Sequence, residues 1–430
     1  MRRKTFTRLV IGCATALVIT ACGSGSGSEV KLSDQPVTLR MTWWGADKRA
    51  DLTNQAIKAF EAKNPKITIK GEYKDWGGYW DALATTTAAK DSPDVVQMDE
   101  LYLASYAGRG ALLDLGQTGK FLDMSHVEQQ ALATGKVDGK QYAVPIGVGV
   151  MTVLVNEDLF HKYGVAVPDG RWTWAEYAKV AKEITDKSNG AVHGTAAGQG
   201  FDAFSIKYWA RQHGEELFDD KGKVAISPAT LASMWENTAA LIDSGAAVPA
   251  STMVENQTAG VTANSFATGK AAMTFAYNSQ VTAINAALKA NLKLLQPPTG
   301  GTVDANYLKP SMYWAISAQS KHPAEAAKFA DFLLNDPDAT KILGTERGIP
   351  ANTEVRSKLQ SSFQGSDKLA ADYLAGVTVG KSPIVTPNGG SGLEPMLQRY
   401  TQQVLFKKQS AQAASTAFIN ELKGELDSAS

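Results

Sequence analysis

The sequence predicts an α/β protein of two packed domains, and three observations carry that reading. The chain has 430 residues, roughly three times a common domain size of ~150. From Val37 onward, short apolar segments alternate with amphipathic ones, the order that builds a parallel sheet covered by helices. No low-complexity stretch separates the parts, so the chain is expected to pass between the two domains more than once. A content of 44% hydrophobic and 20% charged residues excludes a disordered, collagen-like or multi-span membrane chain.

The elements follow in order. Val37, Leu39, Met41 and Trp43 alternate with Thr38, Arg40 and Thr42, the period of a strand. Leu52, Ala56 and Phe60 recur every fourth residue with Ile57 beside them, a helix that Asn64-Pro65 stops. Ile67 and Ile69 open a second strand, Tyr79 to Lys90 is helical, and Asp94 to Met98 is a third strand. Right-handed crossovers place these three strands parallel in one sheet. A second α/β region opens at Met151 to Val155, followed by helices from Trp174 and over Ala203 to His213. Asp219-Asp220-Lys221-Gly222 reads as a hairpin turn. Ala271 to Ala276 is apolar on both faces and is expected to be a central strand. Pro323 to Leu334, Leu393 to Leu405, and the spaced set Ala414, Phe418, Leu422 and Leu426 are helices expected to cover a sheet.

The leader is the strongest local signal. Arg2, Arg3, Lys4 and Arg8 precede an apolar run from Leu9 to Thr20. That run falls short of the ~20 residues a spanning helix needs, so it reads as a secretory signal. The small residues before Cys22 and the Gly-Ser run over 23–28 look like a bacterial lipobox with its tether. An ordinary signal peptide cleaved near Ala21 would leave Cys22 without a role. Cys13 departs with the leader, so the mature body has no thiol for a disulfide or a metal. Several acyl chains at Cys22 would hold the protein to the outer face of the membrane.

Charge and motif searches exclude more than they find. The 43 basic and 43 acidic residues cancel, and loss of the leader tips the balance to acid, which argues against a nucleic-acid partner. The histidines are scattered, no P-loop or G-x-S-x-G elbow appears, and Gly147-Val148-Gly149 lacks the third glycine of a dinucleotide fingerprint. No metal or cofactor is expected. Acidic pairs such as Asp99-Glu100 and Asp219-Asp220 evoke a glycosidase, but sequence neighbours do not flank a glycosidic bond at ~5 Å or more. Asp99 is set apart because it follows a parallel strand, where such sheets hold their ligands. Aromatics are the more telling class. Nine tryptophans include Trp43-Trp44-Gly45 and Trp76-Gly77-Gly78-Tyr79-Trp80, with Tyr277-Asn278 and Tyr313-Trp314 elsewhere. Trp43 and Trp80 are in register with core positions, whereas an aromatic beside glycine is free to face the C–H side of a sugar ring. Asp47, Arg49, Asp75, Asp99, Asn278 and Arg347 would bind the ring hydroxyls.

The order of motifs resembles a known family. Phe60-Glu61-Ala62-Lys63-Asn64-Pro65, Ser92-Pro93-Asp94-Val95-Val96, Gly110-Ala111-Leu112-Leu113-Asp114-Leu115, Asp138-Gly139-Lys140-Gln141-Tyr142-Ala143-Val144-Pro145 and Val155-Asn156-Glu157-Asp158-Leu159-Phe160 come in sequence. Trp172-Thr173-Trp174, Phe266 to Met273 and Gly348-Ile349-Pro350 continue it. Together they are similar to the extracellular solute-binding proteins (family 1) of carbohydrate ABC importers, over Val37 to the C-terminus. The resemblance implies a type II periplasmic-binding-protein fold whose two lobes close on a sugar, without catalysis and as a monomer, for delivery to importer permease subunits.

It also implies boundaries and contacts. Residues 1–21 would be the signal peptide and 22–36 the tether. Residues 37–147 with 279–318 would form the first lobe, and 148–278 with 319–430 the second. Trp44, Asp47 and Arg49 fall in the loop after the first strand, Trp76 after the second and Asp99 after the third. Phe201 and Asp202 precede the helix holding Trp209, which lines the second lobe in relatives. Tyr277 and Asn278 end the strand after Gly-Lys-Ala-Ala-Met, Trp314 lies just before the third crossing expected near Ala318, and Arg347 lies beside Gly348-Ile349-Pro350. The family's maltose binder has Pro-Trp where this chain has Tyr277-Asn278, which argues against maltose. A glycosidase or a polysaccharide-modifying enzyme is the competing class, and a glycerophosphodiester or peptide the competing cargo.

Overall fold

The computed structural model describes residues 30–196, 198–300 and 304–429. Cys22 and its leader lie outside them.

The first lobe is laid down by β1 (Val37–Trp44), α1 (Asp47–Lys63), β2 (Ile67–Lys74), α2 (Trp76–Ala88), β3 (Val95–Met98) and α3 (Glu100–Gly108). The strands β1, β2 and β3 are parallel as expected, with Val37 opposite Ile67 and Met41 opposite Val95. The helix α2 begins three residues before the sequence expectation. Asp75 accepts a hydrogen bond from the Gly78 amide, so the two glycines are drawn into a capped first turn that carries Trp76. The chain then runs almost straight from β4 (Ala143–Gly149) into β5 (Met151–Asn156), leaving the first sheet for the second through Val150 alone. A side chain at Gly147 would strike the Arg347 carbonyl, so glycine is what lets two backbones approach at this crossing.

The second lobe continues with α4 (Trp174–Lys187), β6 (His193–Thr195), α5 (Ala203–Gln212), α6 (Pro228–Asp243), α7 (Ala250–Ala259), β7 (Ala271–Tyr277) and β8 (Leu292–Leu295). Its sheet has the order β8-β5-β7-β6, so β7 is an inner strand as its apolar faces require. Asp219 to Gly222 does form a tight turn, but a single bridge between Phe218 and Val224 flanks it, not a pair of strands. The chain returns through β9 (Lys309–Ile316), α8 (Pro323–Asn335) and β10 (Ile349–Pro350), completing a first sheet of order β10-β4-β9-β3-β1-β2. It ends with α9 (Gly365–Gly376), α10 (Leu393–Leu405) and α11 (Ala411–Ala429).

Two expectations fail here. The lobe boundaries at 278/279 and 318/319 do not follow the sheets: β8 pairs with β5 of the second sheet, and α8 packs with Phe60 and Ile316 of the first lobe. The second and third crossings therefore fall just before Lys309 and after Pro350. Nor do all the late helices cover a sheet. α10 and α11 bury Leu397, Tyr400 and Phe418 against Ile206 of α5 and Trp235 of α6, a helix-on-helix layer. An apolar stripe at helical spacing fixes which face is buried but not whether a sheet or a helix receives it.

Candidate ligand-binding cleft

The carboxyl ends of β1, β2 and β3 share one edge, and the expected site residues following them meet there. Trp44, at the end of β1, is only 9% exposed. Its ring is enclosed by Trp76 at 5.0 Å, Tyr79 at 5.3 Å and Trp80 at 5.7 Å. Trp76 stands at the rim with 42% exposure, its edge toward Tyr102 at 6.2 Å. Trp80 stacks on Tyr102 at 3.7 Å. The two expected platforms thus divide: Trp76 offers a face, and Trp44 is the buried support that holds it.

Facing this aromatic group is a buried polar set centred on Lys309, at the start of β9. Its ammonium is 3.9 Å from Asp99 and 5.7 Å from the centre of the Tyr277 ring. Burial opposes its charge, yet Asp99 and Glu100 outweigh that and hold its pKa above the usual value. Asp99 caps α3 by accepting from the Leu101 amide at 3.0 Å. Next to it Glu100 pairs across the lobes with Lys207 of α5 at 3.2 Å, with both side chains buried. On the second lobe Asp202 caps α5 through the Ser205 amide at 2.7 Å, and Glu394 accepts from the Ala203 amide at 3.0 Å. Burial raises the carboxyls of Asp99 and Asp202, and pushes Glu394 up to about 7. Two cavities of about 280 and 290 Å³ meet at Tyr277 and Gln280. Arg49 and Lys309 line the first, Phe201 and Asp202 the second.

Other expected contacts are spent elsewhere. Asn278 is fully buried: its Oδ1 accepts from the Val150 amide at 2.8 Å, and its Nδ2 donates to Ala370 at 2.9 Å. It fastens the first crossing, and its burial keeps it from the cleft surface. Trp314 is 1% exposed, within the first lobe's core and beneath the Arg347 guanidinium at 5.2 Å. Arg347 in turn donates to Gln97 at 3.1 Å and Thr53 at 2.8 Å, while burial and the nearby Arg49 lower its pKa to about 9. Trp209 is buried among helices and donates its indole N–H to Ser233 at 2.9 Å. Arg49 is held by Glu346 at 2.8 Å, and exposed Asp47 accepts from the Tyr73 hydroxyl at 3.0 Å.

The polar partners that sequence reasoning missed are Lys309, Glu394, Glu100, Lys207, Tyr102 and Tyr307. Glu394 looks like an ordinary acid in a helix first turn, and Lys309 like a strand edge; only the crossing at Tyr307 gives them a common location. Among the described residues no group of three His, Cys, Asp or Glu is arranged to hold a metal ion.

The profile of the bacterial extracellular solute-binding protein family matches residues 55–373. The chain belongs to that family. The Multiple sugar-binding protein of Streptococcus mutans is 28% identical to this solute-binding protein over 176 residues, covering 40% of this chain and 39% of that protein. The chain therefore spans less than half of that relative's length in the match. An uncharacterized lipoprotein of Streptomyces antibioticus is 25% identical and covers 81% of this chain and 77% of its own. A periplasmic solute-binding protein of Pectobacterium atrosepticum shares the fold with a TM-score of 0.82 at 25% identity, covering 91% of this chain and 99% of that one.

Proposed function

We propose that this solute-binding protein is a lipid-anchored extracytoplasmic receptor that captures a carbohydrate of two or more rings between its lobes and delivers it to an ABC importer. The observation that carries the reading is the exposed Trp76 face set at one edge of a cleft whose other groups are Asp99, Lys309, Tyr277, Asp202 and Glu394. A flat apolar face with convergent hydrogen-bonding groups is what a pyranose needs. The sugar-binding relative supports the cargo, and the lipoprotein relative supports anchoring at Cys22. Lobe closure supplies the capture step, because a ligand touching both lobes favours the closed state by its differential affinity.

A thermal-shift panel of mono-, di- and oligosaccharides tests the reading. A cognate sugar at ~100 times its Kd adds about 2.7 kcal/mol of stability. One observation favours an enzyme instead: Glu394, with a carboxyl at about 7 beside Asp202, has the pKa of a general acid. Recovery of the bound sugar unchanged after prolonged incubation retains the receptor; cleavage replaces it with a glycosidase. Cys22→Ser should leave the precursor uncleaved or release the protein from membranes, and a membrane-bound variant of mature mass would remove the anchor from the proposal.

A further inference from the structure

The charges between the lobes do not balance. Four carboxylates, Asp99, Glu100, Asp202 and Glu394, surround two ammonium groups: Lys207 lies 3.2 Å from Glu100, and Lys309 lies 3.9 Å from Asp99 and within the field of Asp202 and Glu394, while Arg49 and Arg347 beside them share Glu346. Asp202 and Glu394 form no ion pair among the described residues. They sit side by side, because the amide that holds Glu394 belongs to Ala203, the next residue after Asp202. Glu394 and Asp202 each accept from an amide at the start of α5, and the Ser205 side chain also bonds the Asp202 carboxylate. A helix N-terminus supplies roughly +0.5 of an elementary charge, less than two carboxylates carry when both are ionised.

An independent feature lies near the same pair. Tyr307 is 2% exposed, and its hydroxyl has no hydrogen-bond partner among the described residues. It lies within the field of Glu100 and Asp202. A buried hydroxyl left unpaired is costly and needs a partner. Nearby, the Tyr277 ring already has a cation over its face in Lys309, and aromatic faces attract ammonium groups generally.

We infer that the cleft prefers a glycan bearing a basic amino group, whose ammonium is held by the Asp202 and Glu394 carboxylates, and rejects acidic sugars. This rests on the carbohydrate reading above and narrows its substrate class. An ammonium supplies a close counter-charge and donors to Asp202 and Glu394, whereas a uronate adds a further carboxylate beside them. Burial is the main cause that raises the Glu394 carboxyl, and the neighbouring Asp202 and Asp99 add to it.

Isothermal titration of the purified protein with five probes tests this: a glucosamine disaccharide, its N-acetylated form, a neutral glucose disaccharide, a digalacturonate and a linear diamine without rings. The amino disaccharide is expected to bind at least ~10-fold tighter than the neutral one, a factor that one close charge contact readily supplies, with no detectable binding of the digalacturonate. Asp202→Asn and Glu394→Gln retain a carbonyl oxygen for their amide partners, and each should lower the amino-to-neutral affinity ratio by about tenfold. Neutral and amino sugars binding equally, or the digalacturonate binding as well as either, overturns the inference while leaving the carbohydrate reading intact. The diamine binding where no sugar does retains the charge preference and overturns the carbohydrate reading. If neither amine binds, the inference fails.

Discussion

The two walls of the cleft are made of different chemistry. The first lobe presents rings, with Trp76 at the rim backed by Trp44, Trp80 and Tyr102. The second presents the carboxylates of Asp202 and Glu394 at the start of one helix. Rings give contact area with little direction, and carboxylates give direction with little area. A ligand that needs both is held well only when the walls approach, so affinity and closure become one quantity. Lys309 belongs to the first sheet but lies at the crossing between these walls, near Asp99 and Tyr277 alike.

The largest effect should come from breaking the support rather than either wall. Trp314 is buried under Arg347 in the first lobe's core. Trp314→Ala is expected to remove ~3–5 kcal/mol of stability in urea unfolding, the usual result of deleting a buried tryptophan. A loss below about 1 kcal/mol would mean that the core collapses around the gap or that the ring is not packed as described.

Removing the ring wall should give the reverse pattern. Trp76→Ala deletes a half-exposed ring, so unliganded melting should hardly move, while sugar affinity falls by about 2 kcal/mol or more, as for an interface anchor. Trp44→Ala should do both, since its ring is buried yet supports Trp76. Equal stability losses for Trp76 and Trp44 would place both in the core and dissolve the aromatic wall.

This difference between neighbouring tryptophans also shows what the sequence could and could not disclose. Alternation and four-residue spacing located β1, α1, β2 and β3 and buried the intended faces, because those periods are set by backbone geometry. The adjacent glycine that marked both Trp44 and Trp76 as free does not act alike in the two places. Gly45 follows a ring already covered by α2, whereas Gly77 follows one at the exposed helix start, where an added Cβ would meet nothing. Asn278 was legible as a strand-end polar group but not as the fastener of a crossing, which requires Val150 and Ala370 from distant segments. Lys309, Glu394 and Lys207 converge through tertiary contacts alone, and no local pattern announces them.

The carboxylate wall should appear in the pH dependence of stability. Glu394 keeps its proton in the folded protein up to about 7, whereas the unfolded chain releases it near the ordinary glutamate value. In the interval between, the folded state binds more protons, so stability is fully present below that interval and falls as pH rises through it. Asp99 and Asp202, also raised by burial, act in the same direction; Lys309, raised, loses its contribution only in the alkaline range. Thermal melts between about pH 5 and pH 8 should show a decline on the order of 1–2 kcal/mol, and Glu394→Gln should flatten most of it. A profile that rises with pH across this window, or an unchanged slope in the variant, would show that Glu394 is compensated and the wall is not strained.

The smallest effect concerns how far the ring wall extends. Tyr73 is 43% exposed, stacks on Trp43 at 6.1 Å, and donates its hydroxyl to Asp47, which raises the phenol's pKa. It sits opposite Trp43 in the pairing of β1 with β2, and Trp43 packs with Ile57 of α1; Trp44 instead packs against α2 and Trp76. Tyr73 and Trp76 therefore belong to opposite faces of one sheet edge. If the ligand ends at Trp76, Asp47→Ala should leave melting unresolved from the parent and shift disaccharide affinity by less than about twofold, as for an exposed polar pair. If a longer chain passes over the sheet edge to Tyr73, the same substitution should spare the disaccharide but weaken a tetrasaccharide, because the phenol loses the partner that orients it. Titrating both lengths against the one variant separates these outcomes. Equal loss at both lengths would instead put Asp47 in direct contact with the first ring, moving the wall's centre away from Trp76.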